Sequence, residues 1–195
     1  CYGVTIIFLY PVFFFPKGAL ELLINQHHYP AADIFFKYIT HLGDGSLLAI
    51  LLIALLFYSY KATILTAFSI VIQAIIVSIF KRWLYKGLER PLAFFDENIH
   101  LNFVDGIDVH STNTFPSGHT ATAFTLFALI FIVLNHRGII VSTLTFMLAF
   151  LVGLSRVYIL QHLVIDAYFG AIFGVLSVVL ALYLMDILFH QGKLE

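Results

Sequence analysis

The segment from Ser155 to Asp166, SRVYILQHLVID, concentrates chemically active side chains within an otherwise apolar chain. His162 and Asp166 are four residues apart, which on a helix places them one turn apart on the same face, with Cβ atoms about 5–6 Å from each other. In that arrangement a carboxylate can hold one imidazole nitrogen and leave the other free to react. Arg156 adds a permanent cation to the same segment. The segment therefore indicates nucleophilic chemistry at a histidine.

A second group of candidate residues lies in the sequence FPSGH. It follows possible capping side chains at Asn113-Thr114 and carries Pro116 near the start of a predicted helix, where the missing N–H costs nothing. The backbone N–H groups of Ser117, Gly118 and His119 would then lie at the positive end of that helix, which favours anion binding. Gly118 lets an anion approach the backbone closely, and Ser117 adds a hydroxyl donor.

The third group is cationic and lies between Lys81 and Pro91. We expect Arg82 and Lys86 to extend along the membrane surface, as long cationic side chains commonly do. Arg90 and Arg156 can each hold two oxygens of a phosphate with the planar guanidinium group. Two histidines, one aspartate, two arginines and a helix N-terminus therefore suit a phosphoryl group.

A metal site is the alternative interpretation of the same residues. His119, His162 and Asp166 could form a site of two histidines and one carboxylate, but the surrounding cations would repel the ion. We therefore expect no metal and no other cofactor.

The composition indicates a membrane protein. Of the 195 residues, 61% are hydrophobic and 11% are charged, compared with roughly 25% charged in an average soluble domain. The formal net charge of −1 provides no global field to recruit nucleic acid. Cys1 is the single cysteine, so no intrachain disulfide can form. The sequence begins without Met, so we expect the natural chain to start further upstream.

The apolar runs predict an all-α integral-membrane bundle of six transmembrane helices that forms a single domain over residues 1–195. An amphipathic, interfacial helical segment over residues 19–40, broken at Tyr29-Pro30, is expected after the first span. Because successive spans alternate sides, the segments after the third and fifth spans must emerge at the same face. The three groups of candidate residues are therefore expected to meet at one membrane surface. The predicted spans are residues 2–15, 46–60, 62–80, 119–134, 139–154 and 163–189.

Two local patterns predict further structure. Val104-Asp105-Gly106-Ile107 is typical of a two-residue β-hairpin turn. Gly170 and Gly174 form a GxxxG pair, which favours a close contact between helices of the same chain.

The second and third groups resemble signature motifs of the type 2 phosphatidic acid phosphatase superfamily, whose relatives include glucose-6-phosphatase and the vanadium-dependent haloperoxidases. The second motif, PSGH, is matched in full by residues 116–119. The third motif is Ser-Arg, five residues, His, three residues, Asp, and it is also matched in full, by Ser155, Arg156, His162 and Asp166. The resemblance covers residues 81–166 directly.

The first motif of that superfamily is Lys, six residues, Arg-Pro, and here it is matched in part. Arg90-Pro91 is present, but eight residues separate Lys81 from Arg90. A two-residue insertion explains the difference. Lys81 and Lys86 are then both candidates for the phosphate contact, and we favour Lys81 because it lies at the end of the third predicted span.

The resemblance implies a metal-independent lipid phosphate phosphatase that forms a phosphohistidine intermediate. It implies that His162 is the nucleophile, that Asp166 fixes its tautomer, and that His119 acts first as general acid and then as general base. It also implies an active site on the extracytoplasmic face, which we expect to belong to a bacterial inner membrane. The expected oligomeric state is a monomer, with a dimer as the alternative. The expected phosphate-binding residues are Lys81, Arg90, Ser117, Gly118 and Arg156.

Several alternatives stay open at this stage. The lipid could be phosphatidic acid, phosphatidylglycerophosphate, undecaprenyl diphosphate or a lipid A phosphate, and a head-group phosphotransferase could use the same scaffold. A haem protein with His119 and His162 as ligands would leave Arg90, Arg156 and the Gly118 turn without a role. A transporter or a structural bundle would require none of the observed motif spacing.

Overall fold

The protein is a bundle of α-helices. The computed structural model describes residues 14–134 and 138–190, and no β-strand forms within these two ranges. The helices, in chain order, are α1 (Ala19–Asn25), α2 (Pro30–Ile39), α3 (Gly45–Leu56), α4 (Tyr60–Ile79), α5 (Pro91–Phe94), α6 (Gly118–Val133), α7 (Gly138–Tyr158) and α8 (Val164–His190). A 3₁₀ turn, Thr40–Gly43, joins α2 to α3, and a π-helical turn, Phe80–Leu84, extends α4.

Three helical stretches in the described part of the chain are long and apolar enough to cross a membrane: Tyr60–Leu84, Gly138–Tyr158 and Val164–Phe189. A fourth span arises if Pro30–Gly43 and Gly45–Leu56, which meet at an angle of 47°, are counted as one broken helix. The all-α membrane class is therefore confirmed, whereas the prediction of six spans is not. The first predicted span, residues 2–15, lies almost entirely outside the described residues.

The predicted interfacial segment, residues 19–40, and the predicted fourth span are only partly matched by the observed helices. The break at Tyr29-Pro30 is confirmed, because α1 ends at Asn25 and α2 begins at Pro30. However, α2 continues through the 3₁₀ turn into α3 and can form part of a broken span with it. The predicted fourth span corresponds to α6, which has 16 residues and is shorter than the three long helical stretches.

The outer surface of the bundle is apolar. Large aliphatic side chains that are more than half exposed occur on several helices, where water would be an unfavourable neighbour and lipid tails a favourable one. Examples are Ile50 and Ile53 on α3, Val71 and Ile75 on α4, Leu144 on α7 and Val179 on α8.

Helix α6 is the central element, with every residue from Thr120 to Leu129 buried. It packs against α7 and α8. A Cβ atom added at Gly170 would collide with the backbone oxygen of Ser117, and one at Gly174 would collide with that of Ala121. The predicted GxxxG contact is therefore confirmed as a contact within the chain, and it brings the first turns of α6 and α8 together.

The polar loop between α4 and α6 folds differently from the predicted hairpin. The turn at Val104 to Ile107 forms, with Ile107 N–H donating to the Val104 carbonyl at 3.2 Å, but its flanks do not pair as strands. One flank is held by α1 instead, since Asn102 N–H donates to Asn25 Oδ1 at 2.9 Å. The two ends of the loop pair with each other through an isolated antiparallel bridge between Glu89 and Thr112.

Candidate active site

His162 and Asp166 lie together, but not on one helix as the sequence predicted. Helix α7 ends at Tyr158, and the N–H groups of Gln161 and His162 both donate to the Arg156 carbonyl, at 2.9 and 3.1 Å. This reversal places His162 in the connection before α8 and Asp166 in the first turn of α8. His162 Nδ1 is 3.7 Å from Asp166 Oδ2, and both side chains are almost completely buried.

Thr114 connects these two side chains. Its hydroxyl donates to Asp166 Oδ2 in a short hydrogen bond, and its oxygen is 3.3 Å from His162 Nδ1. Asp166 Oδ2 also accepts the N–H of Leu163 at 2.8 Å. The carboxylate is therefore held by a loop hydroxyl and by the start of its own helix.

The second motif begins α6 in a different way from the prediction. Ser117 is the capping residue, because its Oγ accepts from Thr120 N–H at 3.4 Å and from Thr120 Oγ1 at 2.8 Å. The predicted cap at Asn113-Thr114 is therefore wrong, and Pro116 precedes the helix. Ser117 N–H donates to the Asp166 backbone carbonyl at 3.0 Å, so this amide is not available to an anion. The Ser117 hydroxyl proton is still free to donate, because both of its described hydrogen bonds are accepted ones.

His119 has a carboxylate partner that the motif analysis missed. Its Nε2 is 3.0 Å from Asp44 Oδ1, and Asp44 Oδ2 is 3.0 Å from His41 Nδ1. The close approach depends on Gly43, where an added Cβ would lie 2.8 Å from the His119 backbone oxygen. The absence of a side chain at Gly43 therefore allows the 3₁₀ turn to place Asp44 beside His119.

Arg90 is buried and held at two of its three guanidinium nitrogens. Nε donates to the Thr112 carbonyl at 2.8 Å. Nη1 donates both to the Gln161 carbonyl at 2.9 Å and to the Gln161 side-chain oxygen at 2.7 Å. Nη2 has no hydrogen bond to any described residue, so it can serve a ligand. Gln161, directly before His162, thus joins the first motif to the third.

Arg156 is also buried, with one donor left unsatisfied. Nη1 donates to Thr40 Oγ1 at 2.9 Å, whereas the buried Nε has no hydrogen-bond partner in the described part of the chain. An unsatisfied buried donor costs on the order of 1–3 kcal/mol, and more when it is charged. An anionic ligand beside Arg156 would offset that cost.

Of the two candidate lysines, Lys81 is the one near the motif residues. It lies half-buried in the π-helical turn and interacts electrostatically with Arg90, Arg156 and Asp166. Lys86 is exposed on the surface beyond this turn. Single π turns within helices are frequent at functional sites, and this one carries Lys81 toward the cations despite the altered motif spacing.

We expect Lys81→Ala to lower kcat/KM for a phosphate ester by about 100-fold, because it removes a charge that stabilises phosphate oxygens. Lys86→Ala is the matched control and is expected to stay within about twofold of the wild type. Steady-state phosphate release by both purified variants measures the difference. Equal losses in the two variants would contradict the placement of Lys81 in the site.

The electrostatic environment favours neutral His162. Burial is the main factor that holds its pKa well below the ordinary value of 6.5, and the nearby charges of Arg90, Arg156 and Lys81 act in the same direction. A neutral imidazole keeps a lone pair on one nitrogen. One nitrogen of His162 therefore keeps a free lone pair at neutral pH.

A cavity of about 600 Å³ borders Thr114 and Asp166. Its walls are mainly aromatic and aliphatic, and include Phe80, Phe115 and Phe169. Within residues 14–134 and 138–190, no three histidine, cysteine, aspartate or glutamate side chains converge in a metal-binding geometry. Metal independence nevertheless stays a prediction about the reaction.

The fold and the clustered residues together define a membrane-embedded helical phosphatase. The family model of the PAP2 superfamily matches residues 62–189, and the chain belongs to this superfamily. Its activity is therefore that of a phosphoric ester hydrolase, and its apolar helices group it with the membrane lipid phosphatases of the superfamily.

Two solved structures have the same fold. Aquifex aeolicus LpxE aligns with a TM-score of 0.74 and 26% identity, over 86% of this chain and 94% of that chain. A PAP2-type phosphatidylglycerolphosphate phosphatase from Bacillus subtilis aligns with a TM-score of 0.65 and 22% identity, over 95% of this chain and 94% of that chain. The latter likeness concerns the fold alone. Comparison with curated proteins gives no significant match to the sequence.

Proposed function

We propose that the protein hydrolyses a phosphomonoester or diphosphate of a membrane lipid, without a metal and through a phosphohistidine intermediate. The observation that carries the proposal is the convergence of His162, Asp166 and His119 with the cations Arg90 and Arg156 at one end of an apolar bundle. A phosphoryl group carries negative charge on its non-bridging oxygens, and fixed cations in a buried site stabilise that charge as it develops.

In the proposed first step, Nε2 of neutral His162 attacks phosphorus and forms an N–P bond. The bond from phosphorus to the ester oxygen breaks, and His119 donates a proton to that oxygen as the lipid alcohol leaves. In the second step, water attacks phosphorus while His119 accepts its proton. The N–P bond then breaks, which releases inorganic phosphate and restores neutral His162.

The proposed phosphate contacts come from the three motifs. Arg90 offers Nη2 and Arg156 offers its unsatisfied Nε. Lys81 adds a third cation, and Ser117 adds its hydroxyl. The backbone N–H of Gly118 lies at the first position of α6, where the helix dipole favours an anion. Together these groups surround the equatorial oxygens of a transferring phosphoryl group.

A lipid is the proposed substrate because the reactive residues lie among membrane-crossing helices, and an apolar cavity borders Asp166 and Thr114. A hydrocarbon chain placed there keeps its surface out of water, which stabilises the complex by about 25 cal/mol for each Å² buried. In the proposed orientation the active site lies outside the cytoplasm.

Phosphate release from a panel of lipid phosphates in detergent tests the proposed function. We expect free phosphate from at least one lipid and full activity in EDTA. We also expect inhibition by vanadate, because vanadate adopts the five-coordinate geometry of the transferring phosphoryl group. Loss of activity in EDTA would contradict a metal-free site. Transfer of the phosphoryl group to an acceptor, without free phosphate, would instead identify a phosphotransferase.

A further inference from the structure

We infer that Thr114 is a positioning residue that couples Asp166 to His162 and selects the reactive tautomer of the histidine. This inference rests on the proposed function of His162 as nucleophile. The motifs assign Asp166 alone to this task, but the distance from its Oδ2 to His162 Nδ1 is 3.7 Å. That separation is too long for a direct hydrogen bond.

The hydroxyl of Thr114 occupies the position between the two side chains. It has one proton, and it donates that proton to Asp166 Oδ2. Its contact with His162 Nδ1, at 3.3 Å, can therefore only be one in which the threonine oxygen accepts. For this contact to be a hydrogen bond, Nδ1 of His162 must carry the proton.

The direction of this chain of hydrogen bonds determines which nitrogen can react. If Nδ1 carries the single proton of neutral imidazole, Nε2 has the free lone pair. Asp166 fits the same direction, because its Oδ2 accepts from both Thr114 and the N–H of Leu163. When Nε2 bonds to phosphorus, the positive charge that forms on the ring is stabilised through Thr114 by Asp166.

The position of Thr114 is set by the loop rather than by a helix. Its N–H donates to the Leu88 carbonyl at 3.2 Å, next to the bridge that pairs Glu89 with Thr112. The side chain is 2% exposed, so no bulk water competes for the hydroxyl. The loop that carries Arg90 therefore also fixes the hydroxyl that orients the nucleophile.

Two variants distinguish the effect of the Thr114 hydroxyl on activity from the effect of the side-chain shape. Thr114→Val keeps the branched shape and removes the hydroxyl, whereas Thr114→Ser keeps the hydroxyl. We expect Thr114→Val to lower kcat by about 10- to 100-fold with KM changed less than about threefold, as for other residues that orient a reacting group. Thr114→Ser is expected to restore kcat to within about threefold of the wild type. Rapid alkaline quenching with a ³²P-labelled lipid phosphate is expected to show slower phosphohistidine formation in the valine variant.

The outcomes distinguish this inference from the proposed function. If the wild type forms neither free phosphate nor phosphohistidine, the proposed function is wrong. If the wild type forms both, and Thr114→Val matches its kcat and its rate of phosphohistidine formation, the role of Thr114 is wrong while the proposed function stands. A merely structural role is detected by thermal unfolding, since it would lower the melting temperature of Thr114→Val without slowing phosphohistidine formation in the folded fraction.

Discussion

Replacing His162 by alanine is expected to remove phosphate release, with kcat lower by about 10⁵-fold or more, as for other enzymes that lose a covalent nucleophile. The reason is that no other described histidine lies beside Thr114 and Asp166 to replace His162. Water would then have to attack phosphorus directly, without the covalent step. Phosphate release and phosphohistidine formation from a ³²P-labelled lipid phosphate measure the two consequences. Labelled phosphohistidine is expected in the wild type and not in the variant.

The control for this substitution has to address folding, because His162 is 2% exposed and its removal leaves a cavity. Thermal unfolding in detergent shows whether the purified variant retains a cooperative transition. His110→Ala is the matched histidine control, since His110 is exposed in the loop after α5, and its activity is expected to stay at the wild-type level. Full activity of a folded His162→Ala protein would refute the nucleophile assignment.

The environment of His162 also has a consequence for pH dependence. Its pKa is lowered, mainly by burial, so the neutral form persists at pH values where an exposed histidine would already be protonated. Lowering the pH through 6.5 should therefore not inactivate the enzyme by protonating the nucleophile. Any fall in activity near that pH must arise from another group, such as the substrate phosphate.

The sequence was sufficient to predict which motifs meet. Alternation of the membrane spans placed the PSGH segment and the segment containing His162 on one face, and the structure joins them through the hydrogen bond from Ser117 N–H to the Asp166 carbonyl. The membrane class and the GxxxG contact at Gly170 were also predictable, because both depend on local composition or on single residues. The superfamily resemblance rested on the same motifs, and the family model that matches residues 62–189 confirms it.

The local geometry was less predictable. Spacing alone suggested one helix for His162 and Asp166, but the chain reverses after Tyr158 and a new helix begins at Val164. The prediction that His162 and Asp166 lie close together is therefore correct, but the two residues do not share a helix. The count of spans also failed to reach six in the described residues, partly because residues 1–13 lie outside them and partly because α6 is short.

The site residues that the motif analysis missed all contact partners that are far away in the sequence. Gln161 reaches Arg90, 71 positions away, and Thr114 reaches Asp166, 52 positions away. Asp44 could have been found, because the same alternation of spans places the start of the second predicted span on the active face. However, its position between Gly43 and Gly45 is typical of any turn, and no local pattern indicates that a turn packs against a histidine far along the chain.

Replacing His119 by asparagine is expected to have an effect that depends on the leaving group. For an alkyl or lipid phosphate, whose alcohol is a poor leaving group, removal of the general acid should lower the rate of phosphohistidine formation by about 10²- to 10⁴-fold. For p-nitrophenyl phosphate, whose phenolate leaves without a proton, the same step should slow much less. Quenched-flow measurement of phosphohistidine formation with both substrates gives the two rates.

The second step, hydrolysis of phosphohistidine, tests the proposed role of His119 as general base. Hydrolysis of phosphohistidine needs a base to accept a proton from water, so with p-nitrophenyl phosphate the His119→Asn variant should accumulate the intermediate that the wild type turns over. Asp44→Asn should change both steps in the same direction but by less, because it removes only the carboxylate 3.0 Å from His119 Nε2. If His119→Asn slows both substrates equally and no intermediate accumulates, His119 contributes binding or structure, and the proton must come from another group.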